Sequence, residues 1–410
     1  MVELAFWPCS CRSGYYRIFQ NTHIRRSMMK ILVAGGGTAG HISPVLAVIA
    51  SIHKLKPGID ILFVCAGGEY ETSLLKHSAI SYKSIPAGKY RRYGRGKLRE
   101  IIDIKTQSQN ATDLFKTVKG YAYSRKIIKQ FKPDVIFIKG GYVGLPVGLA
   151  AAHLGIPYVI HESDVVMGKT NKILSKRASA IAVSFPISAY QDADQNKLFF
   201  TGNPVRPEYY ISADQGAKSF NEQKPNIMIF AGSQGAEAIN RVVFENIELL
   251  TKNFNILHIA GRQGVERARF MRHRLPIEQK RCYEPHGFLT EEMIAAYHWS
   301  DIVVARAGMN SLSEIAALSK PAIIIPLPSS TNNHQLKNAQ YLARQGAVRL
   351  LMQDQLHGVR LTNELSKLSG DPSSMNYLAA TVHKFFKPEA SISLAKVILS
   401  VASDNKGSLA

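Results

Sequence analysis

The sequence predicts an α/β protein of two doubly wound parallel-sheet domains in tandem. Short apolar runs alternate with longer amphipathic stretches, the pattern of parallel strands and crossover helices. A glycine-rich turn follows the first run directly. The same order of strand, glycine turn and helix then restarts near residue 226.

The first domain opens with the run at 31–34, Ile-Leu-Val-Ala, and further runs stand at 61–65, 135–139, 158–160 and 180–183. Continuous apolar runs suit strands buried on both faces. The second domain repeats them at 227–231, 256–260, 302–305 and 322–325, with a helix from about Glu237. The seam is expected at Gly202-Asn203-Pro204-Val205-Arg206-Pro207, where two prolines and a glycine break regular structure. Residues 388–402 read as a last helix and 404–410 as a frayed tail. Ligands of open α/β sheets bind outside the carboxyl ends of the strands. Two such domains facing each other make a cleft lined by their glycine turns.

Composition bounds the class. The chain has 410 residues, 46% hydrophobic and 20% charged, ordinary for a globular protein with a sizeable core. Its formal net charge of +21 favours anionic partners, whether phosphorylated substrates, acidic lipid or nucleic acid. Of the cysteines, Cys9 and Cys11 are close together, while Cys65 and Cys282 have no neighbour at metal spacing. Neither a disulfide framework nor a zinc site is implied. Residues 1–28 lack the period of a helix or strand and make a poor signal peptide. They are expected to be a mis-called start or a disordered arm, with initiation at Met28 or Met29. No run reaches about 18 apolar residues, the length that spans a bilayer.

Six motifs follow strands. Gly35-Gly36-Gly37-Thr38-Ala39-Gly40-His41 is a close-approach turn whose helix N-terminus suits a phosphate. It matches the dinucleotide fingerprint formally, but the second strand ends in Cys65-Ala66-Gly67 without the carboxylate that holds a ribose. His41 stands at its mouth as a candidate base. Lys139-Gly140-Gly141-Tyr142-Val143 is a second such turn, suited to an acceptor. His161-Glu162-Ser163-Asp164 is expected to turn polar groups into the cleft. Gly232-Ser233-Gln234-Gly235-Ala236 repeats the phosphate-type turn in the second domain. Arg306-Ala307-Gly308-Met309-Asn310-Ser311-Leu312-Ser313-Glu314 opens a helix with Glu314 placed to grip a ribose diol. Finally Ser329-Ser330-Thr331-Asn332-Asn333-His334-Gln335 offers the donors and acceptors that sugar hydroxyls need. Outside these, Lys83, Lys89, Arg91, Arg92, Arg95, Lys97 and Arg99, interleaved with Tyr90, Tyr93 and Leu98, form a basic loop for anionic lipid or nucleic acid.

Taken in order, these segments resemble the MurG family, the undecaprenyl-diphospho-muramoylpentapeptide β-N-acetylglucosaminyltransferases. The match runs from Met29 to near the end of the chain, and its most distinctive parts are Gly232-Ser233-Gln234-Gly235 and Gly202-Asn203-Pro204-Val205-Arg206. The resemblance implies a GT-B fold of two Rossmann-like domains. It implies inverting transfer of GlcNAc from UDP-GlcNAc to the MurNAc C4 hydroxyl of lipid I, giving lipid II in peptidoglycan synthesis, without a metal or cofactor. Residues 29–206 would then bind the acceptor and membrane, 207–384 would bind UDP-GlcNAc, and 385–403 would form a helix packing back on the first domain.

Carried over by motif, His41 is the base. Thr38, Ala39, Gly40, His41, Asp164, Arg206, Ser233, Leu289, Glu314 and Gln335 contact the donor, with Arg206 and Ser233 at the diphosphate and Leu289 at the uracil. Gly37, Gly140, Gly141 and Tyr142 line the acceptor side. Lys89, Arg91, Arg92, Arg95 and Lys97 meet the anionic cytoplasmic membrane surface, where the enzyme is peripheral, and no nucleic acid is implied. The chain departs from the family at Ala39, at Ser163-Asp164, at His334 and in the length of the segment 288–293. All four lie near the donor sugar. Two alternatives stay open on sequence: another lipid glycosyltransferase of this fold, and UDP-GlcNAc 2-epimerase.

Overall fold

The computed structural model describes residues 28–36, 39–88, 104–211, 223–230, 236–328 and 330–407. The arm expected at 1–28 lies outside them but for Met28. Strands β1 (Lys30–Ala34), β2 (Asp60–Cys65), β3 (Tyr82–Ser84), β4 (Val135–Ile138), β5 (Tyr158–Glu162), β6 (Ala180–Val183) and β7 (Leu198–Phe200) form one sheet. A second contains β8 (Asn226–Phe230), β9 (Asn255–Ile259), β10 (Tyr283–His286), β11 (Ile302–Ala305), β12 (Ala322–Ile324) and β13 (Arg349–Leu350). Their orders are β3-β2-β1-β4-β5-β6-β7 and β10-β9-β8-β11-β12-β13, and every pairing is parallel.

The apolar runs mark the nine interior strands; the four edges, β3, β7, β10 and β13, are not among them. An interior strand is covered on both faces and is apolar throughout. An edge such as β10, Tyr-Glu-Pro-His, is only half covered and tolerates polar residues and a proline.

The pleat sorts each strand's side chains between two cores. Ile31 and Val33 of β1 face one cluster, Leu32 and Ala34 the other. The first cluster is closed by α1 (Ala39–Leu55) through Ile42, Val45, Ile49 and Ile52. On the other side pack α3 (Ile104–Phe131), α4 (Gly141–Leu154) and the short α5 (Lys169–Leu174), while α2 (Glu69–His77) joins the first cluster through Leu75. In the second domain, α6 (Glu237–Glu245) covers Ile227 and Ile229 with Ile239, Val242 and Val243. Helices α7 (Met309–Ala317) and α8 (His334–Arg344) follow β11 and β12.

The two domains start alike. The main-chain N–H of Lys30 donates to Asp134 Oδ2 at 2.7 Å, and that of Asn226 to Asp301 Oδ2 at 2.8 Å. In each case the aspartate just before the neighbouring strand anchors the first strand of the sheet.

The last helix, α9 (Ala390–Gly407), leaves the second domain and lies on the first. Its stripe Leu394, Ala395, Ile398 and Ala402 is wholly buried in the core that α1 closes. The helix continues to Gly407, through part of the stretch expected to fray. The returning chain passes against the seam at Gly202, whose φ is +82°; a Cβ there would lie 2.7 Å from Lys387 Cβ. Only glycine meets both demands. Truncating Ile398 to Ala should cost about 2–5 kcal/mol by leaving a cavity in the first domain's core. A urea unfolding midpoint equal to wild type would show that α9 is not part of that core.

Candidate active site

In each sheet the chain winds outward from a central pair, β1 with β4 and β8 with β11. Between these pairs lie the topological switch points, where open α/β sheets bind ligands. The glycine turns of the sequence fall there. Gly35 follows β1, Gly140 and Gly141 follow β4, residues 231–235 follow β8, and Ala307 with Gly308 follow β11.

After β1, the N–H of Gly35 donates to Val64 O at 3.2 Å and α1 begins at Ala39. His41 is therefore in the first turn of α1. Gly37, Thr38 and Ser233 lie outside the described residues, as do the side chains of Ala39 and His41. The carboxylate missing from the end of β2 is supplied nearby by Glu71 of α2. Its Oε2 accepts from the N–H groups of Gly67 (3.1 Å) and Gly68 (3.3 Å), and a Cβ on Gly36 would lie 2.8 Å from its Oε1. Its Oε2 braces the turn after β2, and its Oε1 crowds the turn after β1. Half-buried Tyr142 stands near it, its phenol pushed above the ordinary range by burial and then by Glu71 and Asp113. Gly140 and Gly141, with φ of +88° and +76°, open α4.

His161 and Glu162 correct the expectation of a polar face turned into the cleft. Both belong to β5 and are buried, 0% and 4% exposed. Glu162 Oε1 accepts from Asp164 N (3.0 Å), and its Oε2 from Gly168 N (2.9 Å) and Asn171 Nδ2 (2.9 Å). Burial, then Asp164, pushes its carboxyl up. Buried Lys139, at the end of β4, donates to His161 Nδ1 (2.6 Å), Ser163 Oγ (2.8 Å) and Asn203 Oδ1 (2.9 Å). Burial pulls its ammonium down to about 7 against the opposing pull of Glu162 and Asp164. His161 is neutral by the same desolvation and by Lys139, and its Nε2 lies 3.1 Å from Gly202 O.

The carboxyl ends of the two sheets are joined at two points. Asn338 of α8 accepts from Val165 N at 2.9 Å and donates to Asp164 Oδ1 at 2.7 Å and Ala307 O at 3.4 Å. Asn203 Nδ2 donates to Ser313 Oγ of α7 at 3.0 Å. Asp164, expected at the donor sugar, is thus hydrogen-bonded across the cleft.

On the second domain, Glu314 of α7 accepts from Tyr297 Oη at 3.1 Å. Its carboxyl is pushed up to about 7 by burial, which outweighs the lowering effect of Tyr297, Arg206 and Tyr209. Arg206 donates to Tyr209 Oη at 3.2 Å and lies 5.1 Å from the Tyr209 ring centroid. The structure therefore brings Arg206 and Glu314 together around two tyrosines that the sequence did not single out. Arg306, by contrast, is spent on Ile325 O, Pro326 O and Gln353 Oε1. Gln335 Oε1 accepts from Leu327 N at 3.0 Å, so that oxygen holds the loop after β12. Leu289 is partly buried against the core beyond β10.

The basic loop from Lys89 to Arg99 lies outside the described residues, including Arg91, Arg92, Arg95 and Lys97. Helix α3, which follows it, exposes Leu114, Phe115, Val118 and Tyr123 between lysines. Among the described residues no helix is long and apolar enough to cross a membrane, and no His, Cys, Asp or Glu cluster could hold a metal.

The glycosyltransferase family 28 N-terminal domain matches residues 31–183, and the family's C-terminal domain matches residues 226–393. A Clostridium tetani protein named UDP-N-acetylglucosamine–N-acetylmuramyl-(pentapeptide) pyrophosphoryl-undecaprenol N-acetylglucosamine transferase is 34% identical over 80% of this chain and 86% of its own. A Pediococcus pentosaceus protein of the same name is 33% identical over 91% of this chain and 100% of its own. Among solved structures, Acinetobacter baumannii MurG superposes with a TM-score of 0.69 and 27% identity, covering 91% of this chain and 99% of that one.

Glu314 yields a stability prediction. Its carboxyl is raised in the fold, so the native state holds a proton that the unfolded chain releases between about pH 4.5 and 7. Stability from this group is therefore lost as pH rises through that window. Glu314→Gln should raise Tm relative to wild type more at pH 7.5 than at pH 5. A difference that does not change with pH would reject the desolvated carboxyl.

Proposed function

The chain belongs to glycosyltransferase family 28, and on that premise we propose how its two domains carry out the transfer. It is a hexosyltransferase that moves GlcNAc from UDP-GlcNAc to lipid I, giving lipid II. The curated relatives carry this transferase name over most of the chain, which favours neither an epimerase nor another lipid acceptor. The observation that carries the mechanism is the meeting of the carboxyl ends of the two sheets, with Asn338 spanning the loop after β5 and the turn after β11.

The donor lies on the second domain. Glu314 accepts hydrogen bonds from the two ribose hydroxyls, about one turn into a helix whose N-terminus favours the diphosphate. Arg206 and Ser233 meet the diphosphate, Leu289 borders the uracil, and Gln335 reaches the sugar. The acceptor enters from the first domain, along Gly37, Gly140, Gly141 and Tyr142. His41 removes the proton from the MurNAc C4 hydroxyl as its oxygen bonds to C1 of GlcNAc. The bond from C1 to the diphosphate oxygen breaks on the opposite face, so configuration inverts. UDP leaves with the electron pair, its growing charge stabilised by Arg206 and helix N–H groups.

The acceptor is lipid-linked, so the enzyme works as a peripheral protein at the cytoplasmic membrane surface. The basic loop with Lys89, Arg91, Arg92, Arg95 and Lys97 supplies attraction to anionic headgroups, at about 1 kcal/mol per basic residue. The exposed stripe Leu114, Phe115 and Val118 on α3, which follows that loop in sequence, adds an apolar contact.

Purified enzyme given UDP-GlcNAc should release UDP only when lipid I is added; release without acceptor would overturn the transfer. His41→Ala should keep UDP-GlcNAc affinity while turnover falls roughly 10²–10⁴-fold. Near-normal turnover would sink the base assignment. Replacing Leu114 and Phe115 by Glu should reduce sedimentation with phosphatidylglycerol vesicles; undiminished binding would rule out α3 as the membrane face.

A further inference from the structure

We propose that Lys139 is a positioning residue that ties the acceptor-side glycine turn to the donor helix of the other domain, through Asn203 and Ser313. The inference rests on the donor reading of α7 given above.

Lys139 immediately precedes Gly140, so any shift of its backbone is a shift of the turn. Its ammonium has three N–H donors, and three acceptors meet them: His161 Nδ1, Ser163 Oγ and Asn203 Oδ1. These come from β5, from the loop after β5 and from the strap after β7. One charge thus ties the end of β4 to two separate segments of the first domain, 161–163 and 203.

The contact with Asn203 also decides what the second domain meets. An asparagine amide has an oxygen end and an NH₂ end. As an ammonium Lys139 can only donate, so it draws Oδ1 toward itself and turns Nδ2 outward. Nδ2 then donates to Ser313 Oγ at 3.0 Å, while that hydroxyl donates to Met309 O at 2.8 Å. A flipped amide would set NH₂ against the ammonium and a carbonyl oxygen against a hydroxyl whose proton is already donated to Met309 O. The cation therefore dictates the polarity of the interdomain hydrogen bond. Ser313 is followed directly by Glu314. The path from Gly140 to the ribose carboxylate contains only covalent bonds and these two hydrogen bonds.

Lys139, Asn203 and Ser313 are all buried, 3%, 6% and 5% exposed. A buried cation is costly, and an apolar chain of equal length would fill the volume more cheaply. What the cation supplies, and an apolar chain would not, is the orientation that it imposes on its partners. Burial draws the ammonium down to about 7, with Glu162 and Asp164 the carboxylates that oppose the loss of its proton.

The test is hydrogen exchange with and without UDP in wild type, Lys139→Met and Ser313→Ala. In wild type, UDP should protect the first turns of both α7 and α4. In either variant, protection of α7 should persist while that of α4 falls roughly tenfold. For transfer to lipid I, kcat should fall about tenfold in each variant with donor KM unchanged, and the double variant should be no worse than the singles. If Lys139→Met fails to fold, Ser313→Ala reads the same link from its far end. Protection of α4 that survives in the variants overturns the proposal, as do kcat losses that multiply in the double variant. Wild-type protection confined to α7 overturns it while leaving the donor reading intact. No protection in either domain rejects the donor reading and this proposal together.

Discussion

Asn338 holds the carboxyl ends of the two sheets against each other. Its side chain is fully buried and meets polar groups of the loop after β5 and the turn after β11. A buried polar group without a partner costs about 1–3 kcal/mol. Three main-chain and side-chain groups depend on this one amide, so the domains are held to a narrow range of relative positions. Aromatic contacts fill in around it, Phe185 on Tyr341 at 5.1 Å and Tyr209 on Tyr297 at 6.1 Å. The cleft inherits its geometry from this seam.

The same burial moves protons. Lys139 is drawn down and Glu314 up to about 7, in both cases chiefly by desolvation. Perturbed groups of opposite sign on two sides of a cleft are a mark of functional sites. Here Lys139 directly precedes the glycine turn into α4, and Glu314 lies on α7. Glu162 differs: three N–H donors hold it, and it braces the loop that carries Asp164.

What was legible in the sequence follows from how completely each element is covered. Interior strands are wrapped on both faces and leave apolar runs, so all nine could be read. Edge strands leave no such run. His161 and Glu162 were misread because polar residues at a strand end look outward by rule. Their burial depends on Lys139, Asn171 and Gly202, distant along the chain. Glu71 was overlooked because the fingerprint places a carboxylate at the end of β2, and this one reaches the turn from the next helix. Lys139 passed as part of a turn, since nothing local marks a lysine as buried.

The sequence by itself determined the two-domain architecture, the four glycine turns and the family. Those rest on local periodicity and on short motifs whose backbone demands are met within a few residues. Only the tertiary structure decided which polar side chains are held by the protein. Asp164 meets Asn338, Asn203 meets Ser313, and Arg206 shares Glu314 with two tyrosines. Each partner lies on an element brought near by domain packing. Whether a group is desolvated, paired or free for a substrate is a property of that packing, and no spacing along the chain encodes it.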